Sequence, residues 1–148
     1  MDFKIIDGGV CAAKGFKASG VYCAIKENPT KKNDIALIVS DVMCNAAGVY
    51  TSNKVKGAPV VVANTCNADG EEKAEKMCSL AADALGIKPE EVIVASTGVI
   101  GQVLPIEPIV KAVPQLVEKL SYTGNVEAAT AIMTTDTVKK EYAVEFDI

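Results

Sequence analysis

The sequence predicts an α+β fold in which a layered sheet packs against helices. Residues 3–62 contain short apolar runs separated by turns, with no helical period between them, which favours a mainly antiparallel or mixed sheet. From residue 71 onward, helical patterns alternate with two further strand-like runs. Hydrophobic residues make up 49% of the 148 residues, enough for one core, so we expect a single domain over residues 1–148.

The N-terminal strands are predicted from apolar runs that end at turn-forming residues. Asp7-Gly8-Gly9 ends the first run, and residues 15–20 are rich in turn formers. A polar loop at residues 28–33 is the expected tip of a hairpin. The five predicted strands are residues 3–6, 21–25, 35–39, 47–50 and 60–62.

Three helices and two strands are predicted in the rest of the chain. Residues 71–85 repeat apolar side chains at helical spacing, and Gly86 is placed to end this helix. Pro114 interrupts the second helix and should kink or split it. The predicted helices are residues 71–85, 105–120 and 125–133, and the predicted strands are residues 92–95 and 142–146.

Charge, hydropathy and cysteine content exclude several classes of protein. The net charge is −4 and no basic stripe with interleaved aromatic residues occurs, which argues against nucleic-acid binding. The N-terminus lacks a signal peptide pattern, and no apolar stretch approaches the ~20 residues that span a bilayer. Five cysteines without Cys-x-x-Cys spacing, and no histidine, argue against disulfides and a metal site. We therefore expect a cytoplasmic protein with reduced, mostly buried thiols.

The first candidate site is the end of the predicted strand at residues 92–95. The strand stops at Ser96-Thr97-Gly98, where a small hydroxyl residue and a glycine leave backbone N–H groups open to a ligand. Such N–H groups, together with the Thr97 hydroxyl, suit an oxyanion hole for acyl transfer. The structural alternative is a turn in which a Ser or Thr side chain bonds to its own backbone.

The second candidate site is Thr134-Thr135-Asp136-Thr137, directly after the third predicted helix. Four short polar side chains can bind the charged ends of an amino acid, or they can satisfy the carbonyl groups at the end of the helix. The Asn-rich segment at residues 63–70 is expected to form a structured loop.

The usual nucleophile and base combinations are missing from the sequence. Without histidine there is no Ser-His-Asp triad, and Cys66 has no histidine to activate it. No glycine-rich phosphate-binding or dinucleotide-binding pattern is present, since Gly8-Gly9 has the wrong spacing. If the protein is an enzyme, its nucleophile and base lie outside these residues.

Several sequence motifs follow one another in a fixed order along the chain. They are residues 12–16, 34–41, 47–55, 58–60, 94–101 and 131–137. Each motif is weak alone, but together and in this order they resemble the ornithine acetyltransferase family of cyclic arginine biosynthesis. The resemblance covers nearly the whole chain and implies the layered fold that this self-processing family shares with related aminopeptidases.

The resemblance implies an α subunit of a glutamate N-acetyltransferase. In that family, one precursor cleaves itself at an Ala–Thr bond into α and β chains, and the new N-terminal Thr of the β chain is the nucleophile. It carries acetyl from N-acetylornithine to glutamate as an acetyl-threonine intermediate. An N-terminal Thr uses its own α-amine as base, which accounts for an acyltransferase chain without histidine.

Site residues and partners also follow from the resemblance. Thr97 and Gly98 correspond to the oxyanion-hole pair, and Thr134 corresponds to a substrate-contacting threonine, with Thr135 as the alternative. The β chain is the implied partner, in an α2β2 heterotetramer or a larger assembly. The implied substrates are N-acetylornithine and glutamate, with acetyl-CoA as an additional donor in some members, and no cofactor is implied.

The sequence departs from the family pattern in two places. Val62 runs straight into Ala63 where the family carries a further stretch, and we expect an unobserved segment there rather than a deletion, which would damage a core sheet. The sequence also stops at Ile148, before the family's Lys-Gly-Ser-Gly motif and the nucleophilic Thr. Two alternatives stay open: a related self-processing N-terminal-nucleophile aminopeptidase or amidase, and a non-catalytic binding domain.

Overall fold

The structure is a computed structural model that describes residues 2–25, 30–45, 63–64, 70–96, 102–133 and 136–147. The chain divides into two compact units. The first unit contains Met1–Cys44 and Pro114–Ile148, and the second unit contains Asn45–Val113. Helices and small sheets are both present, so the predicted α+β class is confirmed.

Six strands and three α-helices occur in the described residues. The predicted strands at residues 47–50 and 60–62 lie outside the described residues. Within the described ranges, no helix combines the length and apolar character needed to cross a membrane. The elements are β1 (Phe3–Ile6), β2 (Phe16–Val21), β3 (Ile35–Ser40), β4 (Ala63–Asn64), α1 (Gly70–Leu85), β5 (Val94–Ala95), α2 (Ile106–Glu118), α3 (Asn125–Ala131) and β6 (Ala143–Phe146), with 3-10 turns at Gly9–Ala12 and Pro89–Glu91.

In the first unit, β2 and β3 form an antiparallel hairpin. The prediction of a strand at residues 21–25 is wrong, because β2 ends where that strand was expected to begin. The Asp34 carboxylate accepts the backbone N–H groups of Cys23 at 2.7 Å and of Ile25 at 2.8 Å. A side chain therefore satisfies donors that would otherwise extend the ladder, and the strand stops.

Helix α3 packs on this hairpin, and small residues in β2 allow a close approach. A Cβ atom at Gly20 would fall on the backbone carbonyl of Glu127 in α3. Ala18 is fully buried, and the buried Ser19 donates its hydroxyl hydrogen to the carbonyl of Leu116 in α2 at 2.8 Å. Small residues of β2 therefore contact the backbone of both α3 and α2.

A second antiparallel pair in the first unit joins β1 to β6. The strand predicted at residues 142–146 is thus confirmed over Ala143–Phe146, and its partner is the first strand of the chain. The β6 strand also contacts the 3-10 turn at Gly9–Ala12. We call this pair the β1–β6 ribbon.

In the second unit, α1 packs against β4, β5 and the 3-10 turn at Pro89–Glu91. The helix ends as predicted at Gly86, whose φ of 70° lies in the left-handed region. The Ile87 N–H then donates to the carbonyl of Ala82 at 3.1 Å, which closes the last turn. The sequence rule that places glycine just after a helix therefore holds here.

Several predicted elements differ from the structure in length or continuity, and the third helix, predicted at residues 125–133, ends at Ala131. The β5 strand is shorter than the predicted residues 92–95, because the Val92 N–H donates to the carbonyl of Pro89 and so belongs to the 3-10 turn. Helix α2 runs through Pro114 as one element, so the predicted split is wrong, and the alternative of a kink stays a prediction. The boundary between the two units falls at this proline.

Candidate active site

The first candidate site begins at the carboxyl end of β5. The β4 and β5 strands pair in parallel, with Asn64 opposite Ala95. Parallel strands point their carboxyl ends the same way, so the chain leaves Asn64 and Ala95 at one edge of this small sheet. Half-buried Ser96 is the first residue beyond that edge. The structure thus brings together the starts of the Asn-rich segment and the Ser-Thr-Gly motif, which the sequence analysis treated as unrelated.

Thr97 and Gly98, the predicted oxyanion-hole residues, lie outside the described residues, and their role stays a prediction. The strand that leads to them is held in place, because Val94 is buried and α1 packs against β5. In α/β proteins, ligands commonly bind beyond the carboxyl ends of parallel strands. The place of the motif in the chain agrees with that rule.

The second candidate site follows helix α3 in the first unit. Thr134 and Thr135, the predicted substrate contacts, lie outside the described residues, and their role also stays a prediction. On the helix side, the Met133 N–H donates back into the last turn of α3 at 3.3 Å. On the other side, Asp136 forms an ion pair with Lys140. The end of α3 and the ion pair of Asp136 therefore lie on either side of Thr134 and Thr135 in the sequence.

A polar cluster at the start of α3 ties this helix to the segment that follows the second motif. The Asn125 amide donates to the Glu141 carboxylate at 3.0 Å, and the Lys139 ammonium group binds the same oxygen at 2.6 Å. The bond from Lys139 is the main reason that the pKa of Glu141 lies below its usual value. The Glu141 carboxylate also lies over Gly9, where a Cβ atom would collide with it.

A charged cluster that the sequence analysis missed lies at the end of the β2–β3 hairpin. The Lys17 ammonium group lies 2.8 Å from the Asp41 carboxylate and 4.8 Å from the centre of the Tyr122 ring. The Tyr122 hydroxyl donates to Asp41 at 2.6 Å. The hydrogen bonds within this cluster lower the pKa of Asp41 and raise the pKa of Lys17. The Lys17 ammonium group and the Asp41 carboxylate each stabilise the charged form of the other. Such a pair suits a structural role better than proton transfer near neutral pH.

Burial raises the pKa of two of the cysteine thiols. Burial and the neighbouring Asp34 raise the pKa of the Cys23 thiol to about 12, and burial raises the pKa of the Cys78 thiol. Both thiols are protonated at neutral pH and are poor nucleophiles. The expectation of mostly buried thiols is not met among the described cysteines, since Cys78 is buried, Cys11 and Cys23 are half-buried and Cys44 is exposed. Cys66 lies outside the described residues.

The two candidate sites belong to different compact units. The strand-end motif in the second unit offers backbone N–H groups and hydroxyls, which suit the binding of a negative oxygen. The helix-end motif in the first unit offers hydroxyls and a carboxylate, which suit the binding of amino and carboxyl groups. In the part of the chain that the structure describes, no group of three or more acidic or cysteine side chains is placed to hold a metal ion.

Sequence comparisons relate the chain to one family. The sequence profile of the ArgJ family matches residues 17–65 and 61–148. The arginine biosynthesis bifunctional protein of Gloeobacter violaceus is 46% identical over 97% of this chain and 40% of its own length. The counterpart from Symbiobacterium thermophilum is 45% identical over 95% of this chain and 40% of its own length. The chain thus spans about two fifths of the length of these curated relatives.

Two solved structures share the fold. The ornithine acetyltransferase of Mycobacterium tuberculosis, solved in complex with ornithine, has a TM-score of 0.83 and 31% identity, over 97% of this chain and 88% of that chain. The arginine biosynthesis bifunctional protein of Bacillus halodurans has a TM-score of 0.81 and 31% identity, over 97% of this chain and 85% of that chain. The predicted architecture of the ornithine acetyltransferase type is thereby confirmed.

The alignments also bear on the break expected between Val62 and Ala63. The two profile matches overlap at residues 61–65, which include the junction of Val62 and Ala63. The alignment with the Gloeobacter violaceus protein runs over 164 residues, more than the 148 of this chain, so the relative carries residues that this chain lacks. Since the profile match covers most of the sequence and the two relatives are at least 45% identical, the chain belongs to the ArgJ family.

Proposed function

We propose that the chain is the α-chain portion of an ornithine acetyltransferase, a glutamate N-acetyltransferase of arginine biosynthesis that is active only with its β chain. The observation that carries the proposal is the structural match, over 97% of the chain, to an ornithine acetyltransferase in complex with ornithine. Ornithine is what remains when N-acetylornithine gives up its acetyl group. Residues 1–148 are proposed to act as a single α-chain domain.

Chain lengths support a precursor that is cut in two. This chain covers 88% of the solved Mycobacterium tuberculosis chain but only 40% of the Gloeobacter violaceus relative. A solved ornithine acetyltransferase therefore contains a separate chain of less than half that relative's length. Such a chain is what cleavage of a family precursor into α and β chains would produce.

The proposed reaction has two acyl-transfer steps on the N-terminal Thr of the β chain. First, the Thr hydroxyl attacks the acetyl carbonyl of N-acetylornithine and passes its proton through the α-amine to the leaving nitrogen. The C–N bond breaks, ornithine leaves and acetyl-threonine remains. Second, the amine of glutamate attacks the ester, which yields N-acetylglutamate and frees the Thr hydroxyl. Both steps pass through a tetrahedral intermediate with a negatively charged oxygen.

The two candidate sites are proposed to serve these steps. The Thr97 hydroxyl and the Gly98 N–H would donate to the negatively charged oxygen, as an oxyanion hole does. Their position directly after a parallel strand supports this role. Thr134 would contact the substrate, with Thr135 as the alternative, and the packing of α3 on β2 would hold that segment in place.

The assembly and its surroundings are part of the same proposal. The β chain from the same precursor is the partner, in an α2β2 heterotetramer or a larger assembly located in the cytoplasm. N-acetylornithine and glutamate are the substrates, and acetyl-CoA is a candidate second donor whose use depends on residues outside this chain. No cofactor or metal takes part in the proposed chemistry, because the N-terminal Thr supplies both nucleophile and base.

Intact mass under denaturing conditions and an acetyl-exchange assay on the purified native protein test the proposal. We expect a second chain that begins with Thr, and exchange of acetyl between N-acetylornithine and glutamate. Peptide cleavage without acetyl exchange would indicate an N-terminal-nucleophile aminopeptidase or amidase instead. A single species of 15.5 kDa without either activity would indicate a non-catalytic binding domain.

Removal of the Thr97 hydroxyl tests the oxyanion assignment directly. Thr97→Ala should lower acetyl transfer by roughly 10²-fold, the usual cost of losing one oxyanion donor. Thr97→Ser keeps the hydroxyl and should retain most of the activity, which separates the lost donor from a disturbed turn. Wild-type turnover in Thr97→Ala would contradict the assignment.

A further inference from the structure

One side of the β1–β6 ribbon is apolar and exposed. Phe3 lies opposite Phe146, and they are 65% and 47% exposed. Ile5 lies opposite Val144, and they are 67% and 49% exposed. Alternate residues of a strand share a side, so these four side chains form one surface. Tyr142, two residues before Val144, continues the alternation and is 84% exposed. We call these five residues the apolar face.

The opposite side of the ribbon carries one charged pair and one apolar pair that is partly covered. Lys4 lies opposite Glu145, a charged pair that is exposed to solvent. Ile6 lies opposite Ala143, and both are partly covered. The ribbon therefore turns its largest apolar side chains to the open side. A two-stranded ribbon is only marginally stable in water unless a face packs against something else. A continuous apolar surface of this kind marks an interaction site.

We propose that the apolar face is the docking surface for the β chain of the family protein. This inference rests on the proposed function, because it takes the chain to be one piece of a longer precursor. The chain matches only 40% of the length of the Gloeobacter violaceus relative, so most of a family protein is available as the occupant. Apolar side chains of the β chain would cover the five residues and turn the ribbon into part of a larger core.

A second copy of this chain fits the face less well. A stable dimer buries about 800 Å² on each partner, and five side chains on a narrow ribbon fall short of that area. Association of two separate chains must also overcome lost translational and rotational freedom. A segment of the same precursor avoids most of that cost, because it folds onto the ribbon at high effective concentration before cleavage.

Site-specific crosslinking tests the occupant without disturbing the fold. The photoreactive residue p-benzoylphenylalanine replaces Phe3 on the apolar face in the native protein made from the intact gene, and replaces Lys4 on the opposite side as the control. Irradiation and peptide mass spectrometry identify what each position touches. We expect Phe3 to crosslink to peptides of a second chain, and Lys4 to do so much less. Crosslinks from Phe3 to a second copy of this chain, or none at all, would overturn the proposal.

Charge substitutions provide a second measurement. Ile5→Lys with Val144→Lys places two cations on the apolar face, whereas Lys4→Glu with Glu145→Lys changes the same ribbon on its opposite side. We expect the first pair to reduce recovery of the second chain by roughly tenfold or more, because buried unpaired charges are costly. The second pair should leave recovery near the wild-type level, and both variants should keep the wild-type circular dichroism spectrum. Equal recovery with both pairs would count against the docking surface.

The outcomes separate this inference from the proposed function. If a second chain that begins with Thr is present and both pairs of variants retain it equally, the acetyltransferase proposal stands and the docking surface is wrong. If no second chain accompanies the wild-type protein, the proposed function fails first, and the docking surface fails with it.

Discussion

Two small antiparallel sheets in the same compact unit differ in how far their apolar side chains are covered. The β2–β3 hairpin carries small residues against α3, and the β2 residues Ala18 to Val21 are buried. The β1–β6 ribbon carries large apolar residues, and one whole side is exposed. A sheet covered by its own chain has small residues where a helix approaches closely. We propose that the large exposed residues of the β1–β6 ribbon are covered by the β chain.

The largest expected effect comes from filling the space between β2 and α3. Gly20→Ala places a Cβ atom on the carbonyl group of Glu127, where backbone rather than a flexible side chain must move. We expect the free energy of unfolding to fall by about 3 kcal/mol, in the range seen for overpacked cores. Urea denaturation monitored by circular dichroism measures this loss of unfolding free energy.

The matched control is Gly86→Ala, at the end of α1. No atom lies within 4 Å of a Cβ built there, but φ is +70°, so only backbone strain is added. That strain should cost about 1 kcal/mol. A loss at Gly20 no larger than the loss at Gly86 would show that α3 does not sit as close to β2 as described.

The same substitution, valine to threonine, tests the difference in burial between the two sheets. Val21 in β2 is 3% exposed, and Val144 in β6 is 49% exposed. Val21→Thr buries a hydroxyl and should lower the free energy of unfolding by about 2 kcal/mol. Val144→Thr in the same 148-residue chain should change it by less than about 0.5 kcal/mol, as is usual at the surface. Equal losses would mean that the ribbon is already covered.

A single buried hydrogen bond gives a smaller effect. Ser19→Ala removes the hydroxyl that donates to the Leu116 carbonyl at 2.8 Å, and should cost about 1 kcal/mol. Ser79→Ala is the control, because its hydroxyl bonds the carbonyl of Glu75 at 3.0 Å on the exposed side of α1. That change should cost less than about 0.5 kcal/mol. Thermal unfolding of both variants measures the two losses of stability. A larger loss in Ser79→Ala than in Ser19→Ala would contradict the prediction.

Local sequence rules predicted the elements that local forces determine. Helix α1 follows from apolar periodicity and from Gly86 at its end, and β1 and β3 follow from apolar runs bounded by turns. The β2 strand was misplaced because its end depends on the Asp34 carboxylate, which accepts two N–H groups in place of a strand. The apolar periodicity of the sequence does not show that a carboxylate takes the place of a strand partner for these two N–H groups.

Long-range partners could not be predicted from spacing. The bond between Tyr122 and Asp41 joins residues 81 positions apart, and the β1–β6 pairing joins the two ends of the chain. The candidate site shows the same division. The order of the motifs pointed to Thr97 and to Thr134 through a family resemblance, whereas the shared edge of β4 and β5 emerged only from the structure.

The smallest expected effect is a change in pH dependence at the contact between α3 and the start of β6. The hydrogen bond from Lys139 holds the pKa of Glu141 below its ordinary value of 4.5, so the ionised carboxylate stabilises the folded state. This contribution is present above about pH 4.5 and is lost as the pH falls through the lowered pKa. Glu141→Gln should therefore destabilise the chain at neutral pH and flatten its loss of stability on acidification.

The exposed carboxylate of Glu145 is the control for this last prediction, since Glu145→Gln removes a charge from the same strand region without breaking the contact to Asn125. Thermal unfolding between pH 7 and pH 3 is compared for Glu145→Gln, Glu141→Gln and the wild type. The curve for Glu141→Gln should approach the wild-type curve toward the acidic end, because protonation removes the same stabilisation there. Parallel curves for all three proteins would mean that the contacts of the ionised Glu141 carboxylate do not stabilise the folded chain.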